Sequence, residues 1–211
     1  MIQWVFESAV RSKLLNRCIV ATDDERIFNA AKSFGAEVFM TSSDHASGTD
    51  RVAEAAERID EPIIINIQGD EPLIPGDVID SLVEALQDDS IPMASLMTRR
   101  VELAEMQDPN RVKVVADRNG YALYFSRAPI PHGAGDHYHL HLGMYGFQRE
   151  FLREFARMPE SRLETIERLE QLRVLEAGFK IRMIEAEYSS LSVDTAEDII
   201  KIEEFLKKQR S

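Results

Sequence analysis

Ile63-Ile64-Ile65-Asn66-Ile67-Gln68-Gly69-Asp70-Glu71-Pro72 is the stretch from which the fold is read. A nearly continuous β-branched run predicts a strand buried on both faces of a parallel sheet. Gly69 and Pro72 punctuate its end. In open α/β sheets, ligands bind beyond the carboxyl ends of the strands, which is where Asp70 falls. A carboxylate there can hold Mg²⁺ against nucleotide phosphates, since Mg²⁺ takes one or two carboxylates plus phosphate oxygens. A capping Asp in a Pro-containing turn reads equally well.

Outward from this strand, helix and strand patterns alternate. Ile2, Val5, Phe6, Ala9 and Val10 recur at helical spacing. A strand over residues 18–21 leads to a helix capped by Thr22 or Asp23 and stopped by Gly35. A strand over 37–40 and a helix over 50–59 follow, and Pro75 opens a helix through Gln87. Strands are predicted over 93–98, 112–116, 121–125, 142–147 and 180–186, with a hairpin turn at Asp117-Arg118-Asn119-Gly120. Helices are predicted over 149–157, 163–177 and 195–208, and residues 131–138 read as the most mobile loop. This order predicts one α/β domain over 1–211: a central sheet with helices on both faces, plus an antiparallel addition.

Composition narrows the function. The 211 residues are 44% hydrophobic, enough for one sizeable core. Lys+Arg is 25 against Asp+Glu 37, a formal charge of −12. So acidic a surface argues against nucleic acid or an anionic membrane as the main partner. Cys18 is the sole cysteine, so no disulfide framework or cysteine metal cluster can form. No apolar run reaches membrane-spanning length, and no secretory signal opens the chain; a cytoplasmic location is expected.

Two further polar clusters fall at strand ends. In Ser43-Asp44-His45-Ala46-Ser47-Gly48-Thr49-Asp50-Arg51, small residues lead into a helix N-terminus, an arrangement that suits an anion and equally suits an ordinary capped loop. In Val193-Asp194-Thr195, Asp194 could be a second metal ligand or a helix N-cap. His141, Gly143 and Tyr145 share one face of a strand by its period of two. Glu170 and Gln171 lie inside a helical pattern where either could be merely solvated.

Seven stretches in order carry a resemblance. They are Thr22-Asp23-Asp24, His45-x-Ser47-Gly48-Thr49-Asp50-Arg51, Asn66-x-Gln68-Gly69-Asp70-Glu71-Pro72, Tyr124-Phe125-Ser126-Arg127-Ala128, His141-x-Gly143-x-Tyr145-Gly146, Leu169-Glu170-Gln171-Leu172-Arg173 and Val193-Asp194-Thr195. Together they resemble the 3-deoxy-manno-octulosonate (Kdo) cytidylyltransferases, over nearly the whole chain. The resemblance implies the Rossmann-like nucleotide-diphospho-sugar transferase fold, a homodimer and Mg²⁺ as cofactor. It implies transfer of CMP from CTP to Kdo, releasing pyrophosphate, for lipopolysaccharide biosynthesis. By this likeness Asp70 and Asp194 are the catalytic, metal-holding carboxylates. Gln68, Arg127, His141, Tyr145, Glu170 and Gln171 line the sugar-acid pocket. Ser47, Gly48, Thr49 and Arg51 lie near the nucleotide. An Arg guanidinium suits a sugar carboxylate because the two pair bidentately.

Two departures stand out. The family opens with a strand and a basic loop that cradles the triphosphate, whereas Met1-Ile2-Gln3-Trp4 matches the family's first helix. Without that strand, its neighbours in the sheet are expected to lose a row of hydrogen bonds. Leu140 stands where the family more often carries a basic residue. The competing readings are a non-catalytic remnant that serves as a binding or dimerisation partner, and a cytidylyltransferase for an amino-sugar analogue of Kdo.

Overall fold

The computed structural model describes residues 1–99, 103–133 and 138–188. Its first part alternates as the periodicity predicts: α1 (Ile2–Ala9), β1 (Ile19–Thr22), α2 (Glu25–Ser33), β2 (Glu37–Met40), α3 (Gly48–Ala56), β3 (Ile63–Asn66) and α4 (Gly76–Leu86). The cap of α2 is Asp24, whose carboxylate accepts the Arg26 N–H at 2.7 Å. Neither expected cap is available for that role. Thr22 closes β1 and accepts the Asp24 N–H, and Asp23 pairs with Arg51 at 3.2 Å. α3 starts two residues before Asp50, because the Ser47 hydroxyl accepts the Asp50 N–H and caps the helix. Thr49 therefore sits in the first turn, fully buried.

The second part comprises β4 (Met93–Thr98), α5 (Leu103–Gln107), β5 (Lys113–Ala116), β6 (Ala122–Ser126), β7 (His139–Gln148), α6 (Arg149–Phe155), α7 (Arg162–Glu167), α8 (Gln171–Glu176) and β8 (Ile181–Glu185). The β5–β6 hairpin forms as expected. Asp117 Oδ1 accepts the N–H groups of Asn119 and Tyr121, and Gly120 takes the positive φ of 77° that the turn requires.

β7 is the organising strand. β4 runs antiparallel along one edge, and β8 lies parallel beyond it. The other edge is shared in tandem: β5 pairs near Leu140, and β3 pairs from Tyr145 to Gln148. The sheet is thus mixed, as predicted, but β3 pairs antiparallel to β7 rather than with a parallel neighbour. Both faces of β3 do meet core, which is what its sequence encodes. Ile64 joins a cluster with Phe125, Phe147, Phe151 and Leu172, on the side of α3, α6 and α8. Ile63 and Ile65 pack on the opposite face against Leu82 and Leu86 of α4.

β1 and β2 pair parallel with each other and form a separate two-stranded sheet. Between β1 and β3 lies a cavity of about 440 Å³, with Ile19, Val20 and Ala21 on one side and Ile63, Ile64 and Ile65 on the other. Among the described residues no strand bridges it. Ile63 and Ile65, which line the cavity, are only half-buried. The predicted 195–208 helix lies outside the described residues, as do positions 134–137 of the loop read as mobile. No described helix is long and apolar enough to cross a membrane.

Candidate active site

The site is built on one row of the sheet. In register, Asn66 of β3 faces Tyr145 of β7, and Tyr145 faces Ser95 of β4. These three polar side chains are buried beside one another. His141 lies on the same face of β7, its ring centroid 5.5 Å from that of Tyr145 and 4.9 Å from that of Phe125. The predicted shared face is therefore real; Gly143 stands exposed at a bulge in the β4–β7 ladder. Leu140 is fully buried and brings no charge or hydrogen-bonding group to this strand.

Glu170 and Gln171 reach the row because the predicted helix over 163–177 is broken. α7 opens with a capping box between Ser161 and Glu164. It ends at Arg168, whose φ of 55° is left-handed. α8 then restarts with Gln171 in its first turn. Such a break leaves helix carbonyls without partners, and Arg127 supplies them. Its Nε donates to Glu167 O at 2.8 Å, and its two Nη groups donate to Arg168 O at 3.2 Å and Pro109 O at 2.9 Å. Glu167 in turn accepts from the Ser126 hydroxyl and the Arg127 N–H. The Ser126-Arg127 motif thus docks the end of α7 and aims the start of α8. Three of the five guanidinium N–H groups are engaged among the described residues.

Lys113 completes this support. Its buried ammonium donates to the carbonyls of Asp108, Arg111 and Arg127 at 2.6–2.9 Å, and burial lowers its pKa.

Two hydrogen-bond chains converge at the head of α8. In the first, Asn66 Nδ2 donates to Thr49 Oγ1 at 3.1 Å, and the Thr49 hydroxyl donates to Glu170 Oε1 at 2.7 Å. Glu170 Oε2 is buried with no hydrogen-bond partner among the described residues. Burial raises the Glu170 pKa, and Thr49, Arg173 and Ser47 pull it partly back. In the second, the Tyr145 hydroxyl donates to Gln171 Oε1 at 3.0 Å, and Gln171 Nε2 lies 3.5 Å from His141 Nδ1. The His141 ring is enclosed by Phe125 and Tyr145 although part of the residue stays accessible, and burial pushes its pKa down to about 3. Burial holds the Tyr145 phenol well above its ordinary value. The floor is therefore neutral apart from Glu170. That arrangement is suited to holding sugar hydroxyls, not to shuttling protons through His141.

The predicted nucleotide side lies next to it. A Cβ on Gly48 would come within 3.3 Å of Gln68 Oε1, so the start of α3 and the end of β3 are in close apposition. Ser47 is committed to its cap, and its hydroxyl also donates to Asp50 at 3.0 Å. Arg51 donates to Thr41 Oγ1 at 2.6 Å and pairs with Asp23, tying together the ends of β1 and β2. Asp70 is half-buried just past β3. Asp194 lies outside the described residues. The sequence reading named the Asn66 motif without giving Asn66 a role, and it missed Ser95 and Lys113. Ser95 sits mid-strand among apolar neighbours, and a lone polar residue on a predicted buried strand was the available signal.

The family model for cytidylyltransferases matches residues 1–183. A 3-deoxy-manno-octulosonate cytidylyltransferase of Syntrophotalea carbinolica is 48% identical, over 98% of this chain and 88% of its own length. One from Solibacter usitatus is 50% identical, over 98% of this chain and 84% of its own length. A solved CMP:2-keto-3-deoxy-manno-octonic acid synthetase, complexed with CTP, superposes with a TM-score of 0.93 at 38% identity, over 99% of this chain and 88% of that one. The chain whose strands bring Asn66, Tyr145 and Ser95 into one polar row thus belongs to the 3-deoxy-manno-octulosonate cytidylyltransferases.

Proposed function

We propose that this chain transfers CMP from CTP to Kdo and releases pyrophosphate, forming the activated sugar acid that lipopolysaccharide assembly consumes. The observation that carries the reading is the convergence of Gln171, Tyr145 and His141, neutral hydrogen-bonding groups, with the Glu170 carboxyl beside them on one floor at the carboxyl end of β3. The anomeric hydroxyl attacks the α-phosphorus of CTP in line with departing pyrophosphate. Phosphoryl transfer of this kind asks the protein for positioning and charge neutralisation, with little covalent work. Glu170 and Gln171 orient the sugar hydroxyls, and the Arg127 guanidinium meets the sugar carboxylate. The α3 N-terminus at Ser47-Gly48-Thr49, with Gln68 opposite, borders the nucleotide.

Mg²⁺ is the proposed cofactor. Among the described residues no three His, Cys, Asp or Glu side chains cluster as a metal site. Mg²⁺ takes one or two carboxylates and completes its shell with water and phosphate oxygens. Asp70 would hold it together with Asp194, and the ion would neutralise charge on the phosphates. We also propose a cytoplasmic homodimer; Leu123 on the edge strand β6 and Ile166 on α7 are large apolar side chains left 60% and 65% exposed.

The split between β1 and β3 favours a second reading, a nucleotide-binding partner without turnover. Pyrophosphate release from CTP and Kdo separates the two. Turnover by the 211-residue chain that Asp70→Asn abolishes is the expected result. Turnover unchanged in Asp70→Asn would remove the metal role, and none with CTP still bound would favour the second reading.

A further inference from the structure

The row that carries the sugar pocket contains a residue with no assigned role. Ser95 is fully buried on β4, and its hydroxyl has two neighbours at 2.8 Å: the carbonyl of Met144 and Nε2 of His141. A serine hydroxyl has one proton, so it can donate to only one of them. The ladder decides which. Ser95 pairs with Tyr145 and the next residue, Leu96, pairs with Leu142, so Gly143 and Met144 bulge out of register. Neither β3 nor β5 reaches Met144 either. Among the described residues the Ser95 hydroxyl is the donor seen at this carbonyl, outside any ladder pairing, and a buried unpaired carbonyl is costly. The proton therefore goes to Met144 O, and Ser95 Oγ is left as an acceptor toward His141.

The rest follows from donor and acceptor counts. His141 is neutral, so it carries one N–H. An acceptor at Nε2 places that N–H there and leaves Nδ1 as a lone pair. The lone pair faces Gln171 Nε2, which orients the amide with its oxygen toward Tyr145 and makes the Tyr145 hydroxyl the donor. In the opposite tautomer every link reverses. His141 Nδ1–H would face the amide oxygen, the amide nitrogen would face Tyr145, and Tyr145 would turn its proton elsewhere.

We propose that Ser95 is a positioning residue that fixes the Nε2–H tautomer of His141 and, through it, the donor–acceptor polarity that Gln171 and Tyr145 present to a sugar acid. The last clause rests on the function proposed above; the tautomer does not.

The tautomer is read directly from ¹H–¹⁵N multiple-bond correlations of the ring nitrogens in the ¹⁵N-labelled chain near neutral pH, without ligand. The wild type should show His141 with Nε2 protonated and Nδ1 bare. Ser95→Ala should move a substantial population to Nδ1–H, and Ser95→Thr, which keeps the hydroxyl, should restore the wild-type pattern. Wild-type His141 found as Nδ1–H, or a Ser95→Ala spectrum identical to wild type, would overturn the assignment. Should Ser95→Ala fail to fold, the wild-type and Ser95→Thr spectra still decide it. Calorimetric titration with Kdo reads the second half. Ser95→Ala should weaken binding ~10-fold, the cost of one misdirected buried hydrogen bond, with Ser95→Thr within about twofold of wild type. A tautomer that moves with no change in Kdo affinity overturns the polarity claim. A wild-type chain with the stated tautomer that binds no Kdo instead refutes the functional reading and leaves the tautomer assignment standing.

Discussion

Thr49→Val isolates the Asn66–Thr49–Glu170 chain, because it removes one hydroxyl and keeps the shape of the buried side chain. The lost Thr49-to-Glu170 bond is 2.7 Å long and ends on a carboxylate; hydrogen bonds to charged groups contribute ~1.5–3 kcal/mol. The same change leaves Asn66 Nδ2 without its 3.1 Å partner, at a cost of ~1 kcal/mol or more. The second cost does not depend on pH, but the first does. When Glu170 is protonated, the hydroxyl loses only a neutral bond of ~1 kcal/mol. The gap of ~1–1.5 kcal/mol corresponds to about one further unit of upward pKa shift. The direction follows from linkage. Burial already raises the folded Glu170 pKa above its ordinary 4.5, so its ionisation opposes folding. Its favourable balance is fully present below the unfolded pKa and is lost as pH rises through the folded one. Thr49→Val pushes the folded pKa higher, so destabilisation should grow with pH. Urea unfolding should give a loss of ~2 kcal/mol at about pH 4 and ~3–3.5 kcal/mol at about pH 8. Equal losses at both pH values would show that Thr49 does not act on the Glu170 charge.

Three other outcomes follow from the same structure. His141 has a folded pKa of about 3 against an ordinary 6.5, so its neutral burial stabilises the fold above about pH 6.5, and that contribution is lost as pH falls toward 3. Melts of wild type and His141→Asn should therefore converge on acidification, by at most ~1.4 kcal/mol per pH unit; parallel curves would contradict the buried ring. Gly76→Ala places a Cβ 2.7 Å from the main chain of Arg11 and Ser12, which cannot yield, whereas Gly146→Ala meets the side-chain ends of Leu86 at 2.5 Å and Ile65 at 3.0 Å. Gly146→Ala should cost ~1–3 kcal/mol and Gly76→Ala more, and the reverse order in urea midpoints would refute that reasoning. Hydrogen exchange should find the β1 and β3 amides that face the cavity less protected than those of β4 and β7, since the latter lie within a continuous ladder; uniform protection would mean the β1–β3 gap is closed in solution.

Much of the site was legible because it is local. A helix N-terminus follows the Ser47-Gly48-Thr49 cluster, although α3 starts two residues earlier than predicted, and His141 and Tyr145 share parity on a strand. Such features depend on spacings of two to four residues, which a sequence displays. The pairing of β3 was not legible. A run of isoleucines specifies two apolar faces, and both exist here, but edge partners are backbone matters that side-chain pattern does not encode. Thr22 and Asp23 failed as caps for a related reason, since each had a distant competitor or a strand role.

The break between α7 and α8 shows the same limit at the point where function depends on it. Leu163, Ile166, Leu169 and Leu172 recur at intervals of three through Arg168, so the sequence reads as one helix. A non-glycine residue at a φ of 55° is costly on its own and persists only where its surroundings hold it. Here the holding group is the Arg127 guanidinium, about forty positions earlier in the chain, which satisfies the carbonyls of Glu167 and Arg168. Lys113 fixes the Arg127 carbonyl in turn. The consequence is functional: an unbroken helix would carry Glu170 and Gln171 onward around its own axis, whereas the break restarts the helix with Gln171 buried against Tyr145 and Glu170 bonded to Thr49. The strained residue and the arginine that stabilises it thus form one device that delivers two side chains to the row formed by Asn66, Tyr145 and Ser95. Such a device joins residues far apart in sequence, so it becomes visible only once β6 and α7 are seen side by side.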